Sequence, residues 1–374
     1  MAFGSLGRGL ASALAAVAMG LTVVGTAVPA AAQSRVVNVY NWSDYIAPDV
    51  IEAFTRETGI AVRYDTFDSN DALESKLLMQ KSGFDVVVPS GYFLERQIKA
   101  NVFLPLDKAK LPNLVHVWDE IAARQAAYDP GNRFAVNYMW GTTGIGYNVA
   151  KAKEILGPDA RMDSWDILFK PEIIAKFKDC GVHMLDSADD VLAAALHYLK
   201  LDPNTTREAD FNKAVELMMS IRPYVRKFHS SEFLNALATG EICLAFGYSG
   251  DVKQAQKATQ AAGSRIEIGY AIPQGGAQMW FDNLAIPRDA PNPDEAHALI
   301  DFLLRPAVAA RNSNFVAYAN GNKASQALID KAVLEDPSVY PDAETMKTLY
   351  VLRARDQRTQ RVMNRIWTRI KTGR

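Results

Sequence analysis

Residues 36–64 read VVNVYNWSDYIAPDVIEAFTRETGIAVRY, and this stretch carries the pattern that decides the fold. Two short apolar runs, Val36–Tyr40 and Ile60–Tyr64, have the composition of strands. Pro48–Thr58 lies between them and has helical spacing, with a proline and an acidic residue at its start, as is common in first turns. A strand, a helix and a strand in this order predict a βαβ unit with two parallel strands.

The same alternation continues along the chain and predicts an α/β protein with a largely parallel sheet. Further strand-like runs are Asp85–Val88, Gly144–Tyr147, Val182–Leu185, Ile242–Phe246, Ile268–Ile272 and Leu284–Ile286. Helical patterns are Asp71–Gln80, Asp189–Leu199, Glu208–Ser220, Ser231–Ala238 and Pro293–Leu304. The basic stretch Gln357–Arg374 has apolar residues four apart, which favours a packed amphipathic helix over a nucleic-acid-binding arm.

Residues 1–32 have the three parts of a secretory signal peptide. Arg8 precedes an uncharged run from Gly9 to Val28, and Ala30 and Ala32 offer a small-residue cleavage site. An uncleaved membrane anchor is the alternative, because the run approaches the roughly 20 residues needed to span a bilayer. Export would place Cys180 and Cys243 in an oxidising compartment, which favours a disulfide over two buried free thiols.

The charges of the whole chain nearly cancel. There are 41 Lys and Arg against 42 Asp and Glu, so no overall basic charge attracts nucleic acid or a membrane surface. Two cysteines cannot form a four-thiolate zinc site, and the five histidines show no zinc spacing. We therefore expect no metal and no cofactor.

Five segments near strand ends carry aromatic and acidic side chains but no Lys or Arg. They are Asn41–Tyr45, Pro89–Tyr92, Asp186–Asp190, Gly247–Asp251 and Gln278–Asp282, the last of which leads into a strand. Ligands of open α/β sheets bind at the carboxyl ends of strands. A single Asp at such a position is more often a helix cap, but clustered carboxylates need a compensating cation. Because aromatic faces attract ammonium groups, the pattern predicts an organic polycation with an alkyl stem as the ligand.

Enzyme motifs are incomplete. Gly247–Asp251 has Asp where a nucleophile elbow ends in Gly. Gly141–Gly146 matches neither a dinucleotide fingerprint nor a phosphate loop, and predicts a turn that enters a domain-crossing strand. We predict a protein without catalytic residues, and the alternative is an exported enzyme that uses paired carboxylates on a cationic substrate.

Several of these motifs together resemble the bacterial periplasmic polyamine-binding proteins, most closely the putrescine-binding subgroup. They are Tyr40–Ile46, Asp85–Ser90, Phe228–Ser231, Gly250–Val252, Phe281–Asn283 and Tyr318–Ala324. The resemblance implies a class II periplasmic binding protein, in which two α/β lobes are joined by crossing hinge strands with a ligand cleft between them. The lobes would be residues 33–141 plus 279–326 and residues 142–278 plus 327–374.

The resemblance also implies roles for individual residues. Carboxylates would bind the amines of a polyamine, aromatic side chains would stack on its stem, and serines would add polar contacts. The implied ligand-binding residues are Trp42, Ser43, Asp44, Tyr45, Ser90, Asp190, Ser231, Tyr248, Asp251, Trp280, Asp282 and Tyr318. The pair Cys180 and Cys243 resembles a disulfide of the subgroup.

Three of these positions, Asp190, Tyr248 and Trp280, depart from the residues usual in the putrescine-binding subgroup. Putrescine is favoured as the ligand, and spermidine is the alternative. The resemblance further implies a periplasmic protein that delivers its ligand to an inner-membrane ABC transporter, formed by a permease and its ATPase. We expect a monomer.

Overall fold

The βαβ unit expected near the start of the chain is present, and its first strand extends to Trp42. The computed structural model describes residues 35–79 and 81–374, so the predicted signal peptide at 1–32 lies outside the described residues. Within these two ranges, no helix combines the length and the apolar character that crossing a membrane requires.

The described residues contain ten strands and sixteen α-helices. The strands are β1 (Val36–Trp42), β2 (Ala61–Phe67), β3 (Val86–Val87), β4 (Ala135–Asn148), β5 (Val182–Met184), β6 (Lys227–Phe228), β7 (Leu244–Tyr248), β8 (Ile268–Ala271), β9 (Met279–Ala285) and β10 (Ala319–Asn320).

The first eight α-helices are α1 (Pro48–Thr58), α2 (Asn70–Leu78), α3 (Gly91–Lys99), α4 (Asp119–Gln125), α5 (Val149–Leu156), α6 (Asp166–Phe169), α7 (Pro171–Ile174) and α8 (Ala188–Tyr198). The others are α9 (Glu208–Ile221), α10 (Glu232–Thr239), α11 (Ser249–Ala261), α12 (Pro293–Leu303), α13 (Pro306–Val316), α14 (Lys331–Leu334), α15 (Ala343–Thr348) and α16 (Gln357–Thr372). Short 3₁₀ helices cover Lys108–Lys110, Pro112–His116, Ala175–Phe177, Arg222–Tyr224 and Lys323–Leu328.

The sheet is mixed, not largely parallel as predicted. Its strand order is β2-β1-β3-β9-β4-β7-β5-β6, with β8 and β10 also paired to β4. The outer strands are parallel, since β1 pairs with β2 and β3, and β5 pairs with β6 and β7. The central strands β4 and β9 run antiparallel to each other and to their other neighbours. The prediction of an α/β fold is correct. The prediction of parallel pairing is wrong for β4 and β9, which cross the centre of the sheet.

The length of β4 corrects a second prediction. Gly141–Gly146, predicted as a turn, lies inside this 14-residue strand. The glycines allow close packing, because a Cβ at Gly141 would lie 2.6 Å from Cζ2 of Trp280, and one at Gly144 would lie 2.5 Å from the carbonyl oxygen of Ala271. Residues 279–282, predicted to precede a strand, likewise belong to β9.

Buried apolar side chains form separate cores on the two sides of the central strands. One core consists of residues between Ile145 and Ala277 together with the apolar face of α16, which confirms the predicted amphipathic helix. Two clusters on the other side consist mainly of residues from 37–140 and 279–352. Cys180 and Cys243, on the first side, form a disulfide with their Cα atoms 5.6 Å apart.

Candidate ligand-binding site

All twelve predicted ligand-binding residues line one cleft. It holds about 720 Å³ of empty space, including the part that is open to solvent. The residues come from the end of β1 and the loop after it, from the start of α3, α8, α10 and α11, from the end of β7, from β9 and from the residue before β10. The structure therefore brings these segments together as predicted, while their role in binding a ligand remains a prediction.

Asp282 is the most firmly held carboxylate of the cleft. The hydroxyl of Tyr45 donates to its Oδ2 over 2.9 Å, and the hydroxyl of Ser90 donates to its Oδ1 over 2.6 Å. Asn70 fixes Ser90 in turn, since its amide donates to Ser90 Oγ (2.9 Å) and accepts the Ser90 backbone N–H (3.0 Å). Both oxygens of Asp282 thus have hydroxyl donors, and neither of these donors carries a positive charge.

Two more carboxylates of the cleft each accept a hydrogen bond from a tyrosine. The hydroxyl of Tyr318 donates to Oδ1 of Asp251 over 2.7 Å and accepts the Asp251 backbone N–H over 3.1 Å. The hydroxyl of Tyr248 donates to Oδ2 of Asp190 over 3.0 Å. Asp190 is oriented by its place in the first turn of α8, where its N–H donates to the N-cap residue Ser187.

Burial of these carboxylates raises their pKa values. The pKa of Asp190 rises to about 6, and those of Asp251 and Asp282 rise to about 7. Removal from water is the main cause, the tyrosine hydroxyls act in the opposite direction, and the charges of Asp190 and Asp251 raise the pKa of Asp282 further. No Lys or Arg is found among the described residues that line the cleft, so the protein offers these carboxylates no cation there.

Aromatic rings surround the carboxylates in a continuous series. Tyr45 packs edge-on against Tyr318 with ring centroids 5.4 Å apart, and Tyr318 packs against Trp280 at 5.1 Å. Trp280 in turn contacts Tyr248 at 5.9 Å, again nearly perpendicular. Trp42 is held by a hydrogen bond from Nε1 to the carbonyl of Val88 over 3.0 Å. Such rings can pack on an alkyl stem and attract an ammonium group.

The remaining predicted residues lie in more open parts of the cleft. Ser43 and Asp44 are exposed and Ser231 is half-buried. Asp44 has a φ of 54°, a left-handed conformation that Asp tolerates better than most residues. Its charge contributes to the raised pKa of Asp251, so the two carboxylates face the same space.

Seven further lining residues were not predicted. They are Phe67, Asp68, Asn70, Tyr92, Ser230, Leu234 and Gln278. Phe67 is the last residue of β2, and Asp68 and Asn70 follow this strand, whose carboxyl end was predicted three residues too early. The same strand-end rule would have found them. Tyr92 and Gln278 lay inside segments already singled out, but nothing in the sequence distinguished them from packing residues.

The described residues contain no group of three or more His, Cys, Asp or Glu side chains arranged to hold a metal ion. What the cleft offers is a negatively charged, aromatic surface. This arrangement can bind an organic cation, in which ammonium groups meet carboxylates and methylene groups meet rings.

Comparison with known proteins agrees with this geometry. The family model described as bacterial extracellular solute-binding protein matches residues 49–341. The putrescine-binding periplasmic protein SpuD of Pseudomonas aeruginosa is 49% identical over 95% of this chain and 98% of its own. The putrescine-binding periplasmic protein PotF of Escherichia coli is 47% identical over 97% of this chain and 98% of its own.

A solved structure extends the likeness to three dimensions. The putative spermidine/putrescine ABC transporter from Listeria monocytogenes has a TM-score of 0.81 and 32% identity, covering 91% of this chain and 100% of that one. These findings confirm the resemblance drawn from the motifs and the class II binding-protein fold, and they identify a solute-binding protein instead of an enzyme. The chain belongs to the family of bacterial extracellular solute-binding proteins.

Proposed function

We propose that this protein captures a polyamine, putrescine in the first place, in the periplasm and delivers it to an ABC transporter for uptake. The observation that carries the proposal is the set of three carboxylates, Asp190, Asp251 and Asp282, each bonded to a tyrosine hydroxyl in a cleft lined by no described Lys or Arg. A diamine supplies the missing positive charges. Two relatives of nearly full length are named as putrescine-binding periplasmic proteins, which supports the same ligand.

In this proposal the ammonium groups bind to the carboxylates and the methylene groups contact the rings. Asp282 has a fixed orientation because Tyr45 and Ser90 hold both of its oxygens. Asp251 is held by Tyr318, whose ring also packs on Trp280. Each charge-assisted hydrogen bond to an ammonium contributes about 1.5–3 kcal/mol.

The lobes come together around the ligand. Asp282 in β9 belongs to the first lobe and Asp190 in the first turn of α8 belongs to the second, so a ligand that contacts both stabilises the closed form by its higher affinity for that form. We keep the lobes of residues 33–141 plus 279–326 and 142–278 plus 327–374 with one change. Since residues 329–352 contribute apolar side chains to the core of the first lobe, we place the last crossing at residues 350–355.

Export and delivery complete the proposal. Cleavage of the signal peptide after residue 32 releases the protein into the periplasm, where it acts as a monomer. The closed, loaded form is the one recognised by the permease, which works with its ATPase in the inner membrane.

The test is calorimetric titration of ligand-stripped protein with putrescine, cadaverine, spermidine and spermine. We expect one site per chain and the lowest Kd for putrescine. The lowest Kd for spermidine would assign the cleft to the longer polyamine. Absence of binding for all four amines would contradict the proposal, and turnover of any of them would favour the enzyme alternative.

A further inference from the structure

We propose that residues 350–355, here called the strap, couple the two sides of the cleft, with Arg353 and Arg355 as positioning residues for the bound polyamine. This inference rests on the proposed function. The strap lies outside the cleft and contributes no lining residue. Its contacts reach the two helices whose first turns carry ligand residues on opposite sides.

On the side of the first lobe, the strap is bonded to α3. Glu95 of this helix is only 8% exposed and accepts hydrogen bonds from Nε and Nη2 of Arg353, over 3.2 and 3.1 Å, and from the N–H of Ala354 over 2.9 Å. Burial alone would raise the pKa of Glu95, but these bonds and one from Lys99 hold it below its ordinary value. An ionised Glu95 thus fixes the helix that begins directly after Ser90.

On the side of the second lobe, the strap is bonded to α8. Arg355 donates from Nη1 to Oδ1 of Asp189 over 2.6 Å and from Nη2 to the carbonyl of Pro203 over 2.6 Å. The side chains of this ion pair are 2% and 8% exposed. Asp189 directly precedes Asp190 in the first turn of the helix, so the guanidinium holds the turn that presents a ligand carboxylate.

The backbone of the strap is held as well. The Asn204 side chain accepts the Arg353 N–H over 2.8 Å and donates to the Val351 carbonyl over 2.9 Å. At the other end, the Tyr350 carbonyl accepts the Met279 N–H over 2.8 Å, and the Tyr350 N–H donates to the Ala277 carbonyl over 3.0 Å. The strap therefore also pairs with the start of β9, beside the cleft residues of that strand.

The contacts to Glu95 and to Asp189 form together only when α3 and α8 have the relative position of this structure. A short segment bonded rigidly to both helices favours that position before any ligand is present. This position is a closed one, because Tyr318 of the first lobe bonds to Asp251 of the second and Trp280 packs against Tyr248 across the cleft. Ligand and strap then bias the same equilibrium between open and closed forms, so loss of the strap contacts weakens ligand binding without removing a ligand contact.

The first test variant is Arg353→Gln, which is compatible with folding because the Arg353 side chain is 47% exposed. Its matched control is Arg305→Gln. Arg305 is 39% exposed, donates a hydrogen bond from Nη1 to Oε2 of Glu57 and forms an ion pair with this residue, but both residues belong to the first lobe. A second variant combines Asp189→Asn with Arg355→Met, which removes the buried pair without leaving one charge unpaired.

Two quantities are measured for each variant: the Kd for putrescine by calorimetry, and the distance between spin labels on Glu52→Cys and Lys213→Cys. Both label positions are exposed, one in each lobe. For Arg353→Gln we expect the Kd to rise several-fold, and for the paired variant about tenfold. We also expect a residual population at the ligand-free distance under saturating putrescine. Arg305→Gln should match the unchanged protein in both quantities.

Unchanged Kd and unchanged distances in both strap variants would overturn the inference. If the paired variant does not fold, Arg353→Gln alone decides. Failure of the unchanged protein to bind putrescine would instead contradict the proposed function, so the two failures are distinguishable.

Discussion

Buried carboxylates line the cleft, and two others, Glu95 and Asp189, contact the strap, but only these two are paired with cations from the protein. The pKa of Glu95 is held below its ordinary value by hydrogen bonds from Arg353, Ala354 and Lys99 that outweigh its burial. The pKa of Asp282, which has only hydroxyl donors on its side-chain oxygens, is raised to about 7 by burial. Burial alone therefore does not distinguish a structural carboxylate from one directed at a ligand.

Asp189 and Asp190, which are adjacent in the sequence, show the same contrast. Asp189 pairs with Arg355, whereas Asp190 lines the cleft and bonds to Tyr248. Both are buried in the first turn of α8. What separates them is the source of the compensating charge, which is an arginine for one and, in our proposal, the ligand for the other.

The largest effect is expected from Asp282→Asn and Asp251→Asn. Each change removes a charge that meets an ammonium group, and we expect the Kd for putrescine to rise about 10- to 100-fold in calorimetry. Because the neutral amide removes a poorly solvated charge, the ligand-free unfolding temperature at pH 8 should rise.

The matched control for these variants is Asp129→Asn. Asp129 is fully buried and accepts the backbone N–H groups of Phe134 and Ala135 away from the cleft. Asp129→Asn should lower the unfolding temperature and leave the Kd for putrescine unchanged. Wild-type Kd values in both cleft variants would refute the assignment of the site.

The next effect is the dependence of binding on pH. As the pH falls from 8 to 5.5 it passes the raised pKa values of Asp251, Asp282 and Asp190, near 7, 7 and 6, and the carboxylates take up protons. Protonated carboxyl groups attract ammonium less, so affinity should fall by about tenfold or more over this range. A Kd that is constant between these pH values would contradict the raised pKa values.

A smaller effect is expected from Tyr318→Phe. In the unchanged protein the Tyr318 hydroxyl lowers the pKa of Asp251. Its removal should therefore raise that pKa and increase the Kd for putrescine several-fold at pH 7, with a smaller increase at pH 8.5. Tyr198→Phe is the matched control, because its hydroxyl donates to Asp166 outside the cleft over 2.9 Å. An equal loss of affinity in both variants would speak against a specific role for Tyr318.

The smallest effect concerns the stability of the ligand-free protein. Asp282 has a folded pKa above its unfolded value, so its stabilising contribution is present below about pH 4 and is lost as the pH rises through about 7. Glu95 has a lowered pKa, so its contribution is present at neutral pH and is lost on acidification.

Thermal unfolding between pH 3 and 8 can separate these two contributions. Asp282→Asn should change the profile mainly between about pH 4 and 8, and Glu95→Gln mainly below about pH 5. Changes in the same pH range for both variants would remove the distinction between the cleft and the strap.

The sequence predicted the cleft residues best where a short motif follows the end of a strand. The aromatic and acidic residues after β1, β3 and β7 could be located because a strand's carboxyl end is a defined place in an α/β sheet. Asp68 and Asn70 were not predicted as cleft residues because the end of β2 was placed too early. That Asn70 supports Ser90 is a contact across 20 residues, which no local pattern indicates.

The centre of the sheet could not be predicted from local pattern. β4 contains Gly141, Gly144 and Gly146, which indicate a turn until the side chains packed against them are known. Its antiparallel pairing with β9 joins residues more than 130 positions apart. The strap was missed for the same reason, since the partners of Arg353 and Arg355 are distant in the sequence.

The most direct test is calorimetry of putrescine binding at pH 7 in two buffers with different enthalpies of ionisation. If the ligand supplies the cations that the cleft lacks, Asp251 and Asp282, with pKa values of about 7, must give up the protons they hold. We expect one site and release of about one proton per putrescine bound. Binding without proton release, or no binding, would contradict the claim that ligand charge compensates these carboxylates.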